Sequence, residues 1–171
     1  MIDGTDVLVN WLAPNNRGSP ITRYYIKLIQ YDGTSYSEDV VSCDGSDSTI
    51  MADLECAVPI ATLKAMPFSL EWGTDVYAKV IATNVYGDST ISLAGNGARI
   101  LSVPDAPENL ADVAATTNAN QIGLSWTDVT EDGGTPVIDY TLAYDQGSGT
   151  WITLTSGILT QSYTAIGLET G

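Results

Sequence analysis

The chain has 171 residues, 44% of them hydrophobic, with six basic residues, twenty-one acidic residues and no histidine, for a formal net charge of −15. A surface this acidic repels phosphate backbones and anionic headgroups, which argues against nucleic-acid partners and anionic-membrane binding. The missing histidine removes Ser-His-Asp and Cys-His catalysis and any His-based metal centre.

Sixteen glycines, seven prolines and nine tyrosines suit short strands and turns better than helices. The first six residues lack the basic start and apolar core of a signal peptide. No apolar run reaches the ~18 residues needed to cross a bilayer, so this segment is expected to insert in no membrane. Residues 7–12 alternate as a strand, and residues 21–31 as another, with a turn holding Gly18 and Pro20 between them. Residues 36–41 read as a short strand ending near Cys43. Residues 44–69 contain a turn cluster, a short strand near residues 56–58, and Ile60, Leu63 and Phe68 to pack over one end of a core.

Residues 76–83 alternate clearly, with Val76, Ala78, Val80 and Ala82 on one face and Tyr77, Lys79, Ile81 and Thr83 on the other. A hairpin turn follows over residues 84–88, and residues 89–93 begin the next strand, interrupted over residues 94–98. Pro104 and Pro107 mark a short, semi-rigid joint with no Gly/Ser tract. Beyond it come strands over residues 110–114, 122–127, 138–144 and 162–166, with Trp151 to Leu154 reading as strand and residues 157–161 as a turn. Ile122, Leu124 and Trp126 share one face, as do Ile138, Tyr140, Leu142 and Tyr144.

Two stretches of this chain repeat. Trp126 falls on Trp11 at an offset of 115 residues; with one extra residue in the second turn, Pro136 falls on Pro20 and Tyr140 on Tyr24. Leu168, Glu169, Thr170 and Gly171 likewise repeat the order of Leu70, Glu71, Trp72 and Gly73. Repetition at this period sets the architecture before any local detail.

A strand carrying Trp, a Gly/Pro turn and an alternating strand carrying Tyr resemble strands B and C of a fibronectin type III domain. Pro104, Pro107 and Leu110 resemble the family's Pro-x-x-Pro-x-x-Leu opening. Leu70, Trp72 and Val76, followed by Ala78, Val80, Ala82, Asn84, Gly87 and Ser89, resemble its E–F corner, F strand and F–G turn. Val76 stands where the family usually has a tyrosine, so the tyrosine-corner hydrogen bond is not expected in the first unit. The resemblance implies an all-β chain of tandem antiparallel sandwiches. Residues 1–103 would form a unit lacking strand A and carrying the 44–69 insertion; residues 104–171 would form a unit lacking strands F and G. Open edges of that kind suit a window on a longer array, or strands donated by neighbouring chains.

Together with this resemblance, Cys43 and Cys56 are expected to pair as a disulfide, which implies an oxidising compartment; two free thiols are the alternative. Trp11, Trp126, Tyr24 and Tyr140 are expected as core anchors, with Trp151 in the core or half-buried. Tyr86 and Trp72 sit at turns and are candidate interface residues, although Trp72 is the more expected to pack locally. Adhesion by an Arg-Gly-Asp loop, known in some family members, does not carry over, since the turn reads Tyr86, Gly87, Asp88.

No catalytic residues and no cofactor are expected. Calcium is the ion to weigh, with Asp128, Glu131 and Asp132, or Asp44 and Asp47, as hard oxygen ligands. The expected role is a non-catalytic spacer and protein-contact segment of an extracellular or cell-surface array, with protein partners or further copies of the array. The alternatives are a glycan- or calcium-binding module, an enzyme-accessory domain, and a strand-complemented fibre subunit.

Overall fold

The computed structural model describes residues 2–3, 5–95, 97–145 and 147–168. It divides into two units, Met1–Leu101 and Ser102–Gly171. The expectations that touch Gly4, Asn96, Gln146 and the repeat at Glu169, Thr170 and Gly171 lie outside the described residues.

In the first unit, β1 (Ile2–Asp3), β2 (Asp6–Asn10) and β5 (Glu55–Pro59) form an antiparallel sheet in the order β1-β2-β5. Alternation decides which side is buried. Val7 and Val9 of β2 lie opposite Val58 and Cys56 of β5, and all four are buried. The second sheet runs β4-β3-β7-β8, from β4 (Tyr36–Ser37), β3 (Arg23–Ile29), β7 (Ala78–Asn84) and β8 (Gly87–Asp88). Tyr24, Ile26 and Leu28 of β3 turn inward to meet Val7, Val9 and Val58 in one core cluster, while Arg23, Tyr25 and Lys27 turn outward. The two sheets therefore form a sandwich, and each fully buried Ile, Leu or Val contributes about 1.5–3 kcal/mol. A third pairing joins β6 (Asp75–Val76) to β9 (Ala98–Arg99), beside buried Ile100.

Residues 44–69 are more regular than an insertion into a sandwich. Helix α1 (Ser48–Asp53) starts at Asp47, whose side chain accepts the amides of Thr49 and Ile50, and ends at Leu54 in the left-handed region. Then β5 pairs with β2 over five consecutive positions, so the strand in the E position lies inside the segment set apart as insertion. Helix α2 (Ile60–Lys64) follows and buries Ile60 and Leu63, and Phe68 is buried beyond it. The expected strand over residues 36–41 stops at Ser37. The chain turns instead at Asp39, whose carboxylate accepts the Val41 amide and whose carbonyl accepts the Cys43 amide.

In the second unit, β10 (Glu108–Asp112), β11 (Gln121–Thr127) and β14 (Ser162–Ile166) form one antiparallel sheet, and β12 (Tyr140–Tyr144) pairs with β13 (Ile152–Ile158). Its core cluster is Trp126, Tyr140 and Ile158, with Leu124, Val137, Leu142 and Tyr163 packed against it. Ile138, expected on the inward face with Tyr140, precedes β12 and is exposed. Gly157, expected in a turn, belongs to β13. The edge of β2 that was expected bare carries β1, two residues paired at Asp6 and Val7.

Candidate interaction surfaces

The repeated tryptophan and tyrosine meet in both units. Trp11 and Tyr24 lie with ring centroids 5.3 Å apart, and Trp126 and Tyr140 5.4 Å apart, both in tilted or edge-on geometry. Trp11 lies just past β2 and Tyr24 on β3, while Trp126 lies on β11 and Tyr140 on β12, so each pair ties two sheets together. Trp126 and Tyr140 are buried, as is Tyr24, while Trp11 is half-buried. The hydroxyls differ. Tyr140 donates to Asp128 Oδ1 at 2.7 Å. That bond holds the tyrosine above its ordinary range and the carboxyl below its own. Tyr24 is also raised, mainly by burial, with the Trp11 indole opposing the shift.

Cys43 and Cys56 form a disulfide, with Cα atoms 5.3 Å apart and both residues buried. It joins the segment beside β3 to β5 of the other sheet. Gly45 completes that seat: its carbonyl accepts the Tyr24 amide, and a Cβ added at Gly45 would run into the Tyr24 carbonyl.

The remaining candidates separate. Trp72 is half-buried against the first core, with the Lys64 ammonium 4.7 Å from its ring centroid, so it packs locally. Tyr86, at the tip of the turn between β7 and β8, is 88% exposed beside exposed Val85. Trp151, expected in the core or half-buried, is 68% exposed; it sits just before β13, whose first two residues are exposed as well. Val76 is buried in the ladder with Ala98, at the corner where the family usually places its tyrosine.

Four of the five carboxylates weighed for calcium are engaged within the chain, and Glu131 contributes its main-chain carbonyl, which accepts the Asp105 amide. Asp44 accepts the amide and hydroxyl of Ser46, Asp47 caps α1, Asp132 accepts the Gly134 amide, and Asp128 holds Tyr140. Among the described residues, no group of three or more His, Cys, Asp or Glu is placed to hold a metal ion. Among them, too, no helix is long and apolar enough to cross a membrane.

One feature was not anticipated. Residues 89–95 run beside β7 at three residues per step instead of the expected two. The Ser89, Ser92 and Gly95 amides donate to the Ala82, Val80 and Ala78 carbonyls. In return, the Ser89 and Ser92 hydroxyls accept the Ala82 and Val80 amides, in place of main-chain carbonyls. The strand expected over residues 89–93 is therefore a chain of bulges, a form that blunts a sheet edge. Serines at 89 and 92 with glycine at 95 are the sequence signal for it. Between this stretch and β2 opens a groove of about 630 Å³, lined by Val9, Trp11, Val80 and Leu93 among others.

No protein-family model and no curated protein matches the chain. Among solved structures it is similar to the chicken CNTN1 FN1-FN3 domains, with a TM-score of 0.44 and 16% identity over 95% of this chain and 51% of that one. It is also similar to titin domains A168-A170, with a TM-score of 0.43 and 17% identity over 86% of this chain and 44% of that one. The chain thus spans about half the length of these structures. The strand orders, the antiparallel registers and the twice-built Trp–Tyr pair make this an all-β chain with a fibronectin type III-like fold.

Proposed function

We propose that the chain is a non-catalytic spacer and protein-contact segment of an extracellular or cell-surface array. The observation that carries this reading is the repetition of one Trp–Tyr framework in two successive units, the first stapled by a buried disulfide. A disulfide of this kind persists in oxidising compartments. Four carboxylates, Asp44, Asp47, Asp128 and Asp132, are likewise committed to amides and hydroxyls of the chain, which supports the same reading. Contact with other proteins falls to exposed turns such as that of Val85 and Tyr86.

The test is the intact mass of the natural polypeptide, with and without reduction before alkylation. The expected result is a mass well above 18.1 kDa, with Cys43 and Cys56 alkylated only after reduction. Two thiols labelled without reductant would overturn the extracellular placement, and a mass of 18.1 kDa would overturn the array.

A further inference from the structure

Three of the chain's six basic residues share one face of one sheet. On β3, Arg23, Tyr25 and Lys27 alternate with buried Tyr24, Ile26 and Leu28, and so point away from the core. The register on β7 sets Arg23 against Thr83, Tyr25 against Ile81 and Lys27 against Lys79. Residues directly opposite in an antiparallel ladder share a face, so two lysines of like charge stand side by side. β3 and β7 are the inner strands of this sheet, with β4 and β8 outside them, so these rows lie across its middle.

The acids nearby do not balance that pair. Glu38 accepts from Lys27 Nζ at 3.0 Å and also lies 3.9 Å from Arg23, which has Asp44 at 4.0 Å. Asp88 accepts the Thr83 hydroxyl at the far end of the rows. Among the described residues no carboxylate reaches Lys79, whose ammonium lies 4.1 Å from the Tyr36 ring centroid. In a chain with twenty-one acidic residues, two opposed lysines therefore have one carboxylate between them. Like charges across a ladder destabilise it, and a second carboxylate would relieve this one. One row along, half-buried Tyr25 and Ile81 form an apolar step beside the two ammonium groups.

We propose that this outer face of β3 and β7 docks an extended acidic segment of a partner protein. An Asp or Glu carboxylate of the segment bridges Lys79 and Lys27, and the apolar side chain two residues along rests on Tyr25 and Ile81. The spacing suits an extended chain, because successive rows on β3 and same-face residues of a strand both repeat at about 6.6–6.8 Å. Charge selects a short acidic segment over a polyanion. Glu38, Asp44 and Asp88 surround the cations, and the whole chain carries −15, so a sulfated or phosphate polymer meets repulsion on every side. The proposal rests on the protein-contact part of the reading above, and its test uses neither the mass nor the alkylation that judge the array and the compartment.

The test is NMR titration of the isotope-labelled full chain with the peptide Gly-Thr-Glu-Thr-Ile-Thr-Gly, carried to millimolar concentration. The expected result is saturable shifts at the amides of residues 23–27 and 79–83, which added salt weakens. Lys79→Thr, or Gln in place of the peptide's Glu, should weaken them at least about tenfold. Threonine suits a strand and removes the opposed charge, so Lys79→Thr should melt no lower than the parent. A lysine that serves only to cover Tyr36 gives the reverse, a lower melting temperature with an unchanged titration, and overturns the proposal. So do an absence of shifts on this face, equal shifts from the Gln peptide, tighter binding of a sulfated oligosaccharide, and the same shifts on concentrating the chain alone. Shifts confined to Val85 and Tyr86 overturn it too, while leaving the protein-contact role in place.

Discussion

The same two residues do different work in the two units. Trp11 with Tyr24 and Trp126 with Tyr140 have nearly the same spacing, 5.3 and 5.4 Å. Among the described residues, the first pair belongs to a core cluster with sixteen buried residues, Tyr24 among them, and the second to one with three, Trp126, Tyr140 and Ile158. Ile26 is 1% exposed, and its repeat partner Leu142 is only half-buried. A pair of neighbouring rings is a local product of two strands and a turn. A core needs a second sheet across from the first, with every inward position covered. The first unit has β7, α2 and a disulfide to do this, whereas the second rests on five strands in two small sheets.

The largest effect that would sharpen this contrast is a truncation at matched positions. Ile26→Ala should cost about 2–5 kcal/mol in denaturant titration of the first unit. Leu142→Ala should cost less than half of that in the second, since less of its side chain leaves water; equal costs would erase the distinction. Replacing Cys43 and Cys56 together by Ser should destabilise the first unit by about 3 kcal/mol, the loop-closure value for a short ring, and leave the second unmoved. Residue-resolved hydrogen exchange would separate the two.

Gly45→Ala comes next. The new Cβ meets the Tyr24 carbonyl, so the variant should lose about 1–3 kcal/mol by overpacking, read as a lower melting temperature of the first unit. Unchanged melting would mean that the segment beside β3 yields freely.

The smallest effects are in pH. Tyr140 is raised above 10.0 in the folded chain, so its bond to Asp128 contributes fully below pH 10 and is lost as pH rises through the higher folded value. Asp128 is lowered below 3.8, so the same bond contributes above that pH and fades as pH falls through the lower folded value. Tyr140→Phe should flatten both limbs of the second unit's stability against pH, while Tyr24→Phe leaves them in place. Asp32 is a control in the first unit. Hydrogen bonds from Ser35 and Thr34 lower it to about 2, so NMR should find its carboxylate still charged at pH 3, where an ordinary one is protonating.

Much of the architecture was readable from residues alone, because it rests on period-two alternation and on repetition. Val7 and Val9, Tyr24 with Ile26 and Leu28, and the strand Ser162–Ile166 all follow from that pattern. The misreadings have a shared cause. Residues 36–41 and 89–93 alternate plausibly, but Asp39, Ser89 and Ser92 offer side-chain oxygens that compete with the ladder. Trp151 and Ile138 have the hydrophobicity of core residues and lie just outside their strands. The candidate surfaces were less legible still. Tyr86 could be placed at a turn tip from the sequence, but the groove beside β2 depends on how far apart two sheet edges stand.

By itself, the sequence determined the strand-rich character, the repeated order of Trp, Pro and Tyr, and the net acidity. Those properties need only composition, local period and order along the chain. Tertiary structure alone decided that Glu55–Pro59 is a full partner of β2, that Cys43 and Cys56 are joined, that Trp72 packs locally beneath Lys64, and that a groove opens between β2 and residues 89–95. Burial is a relation between segments distant in sequence, so no residue carries it until the sheets have met.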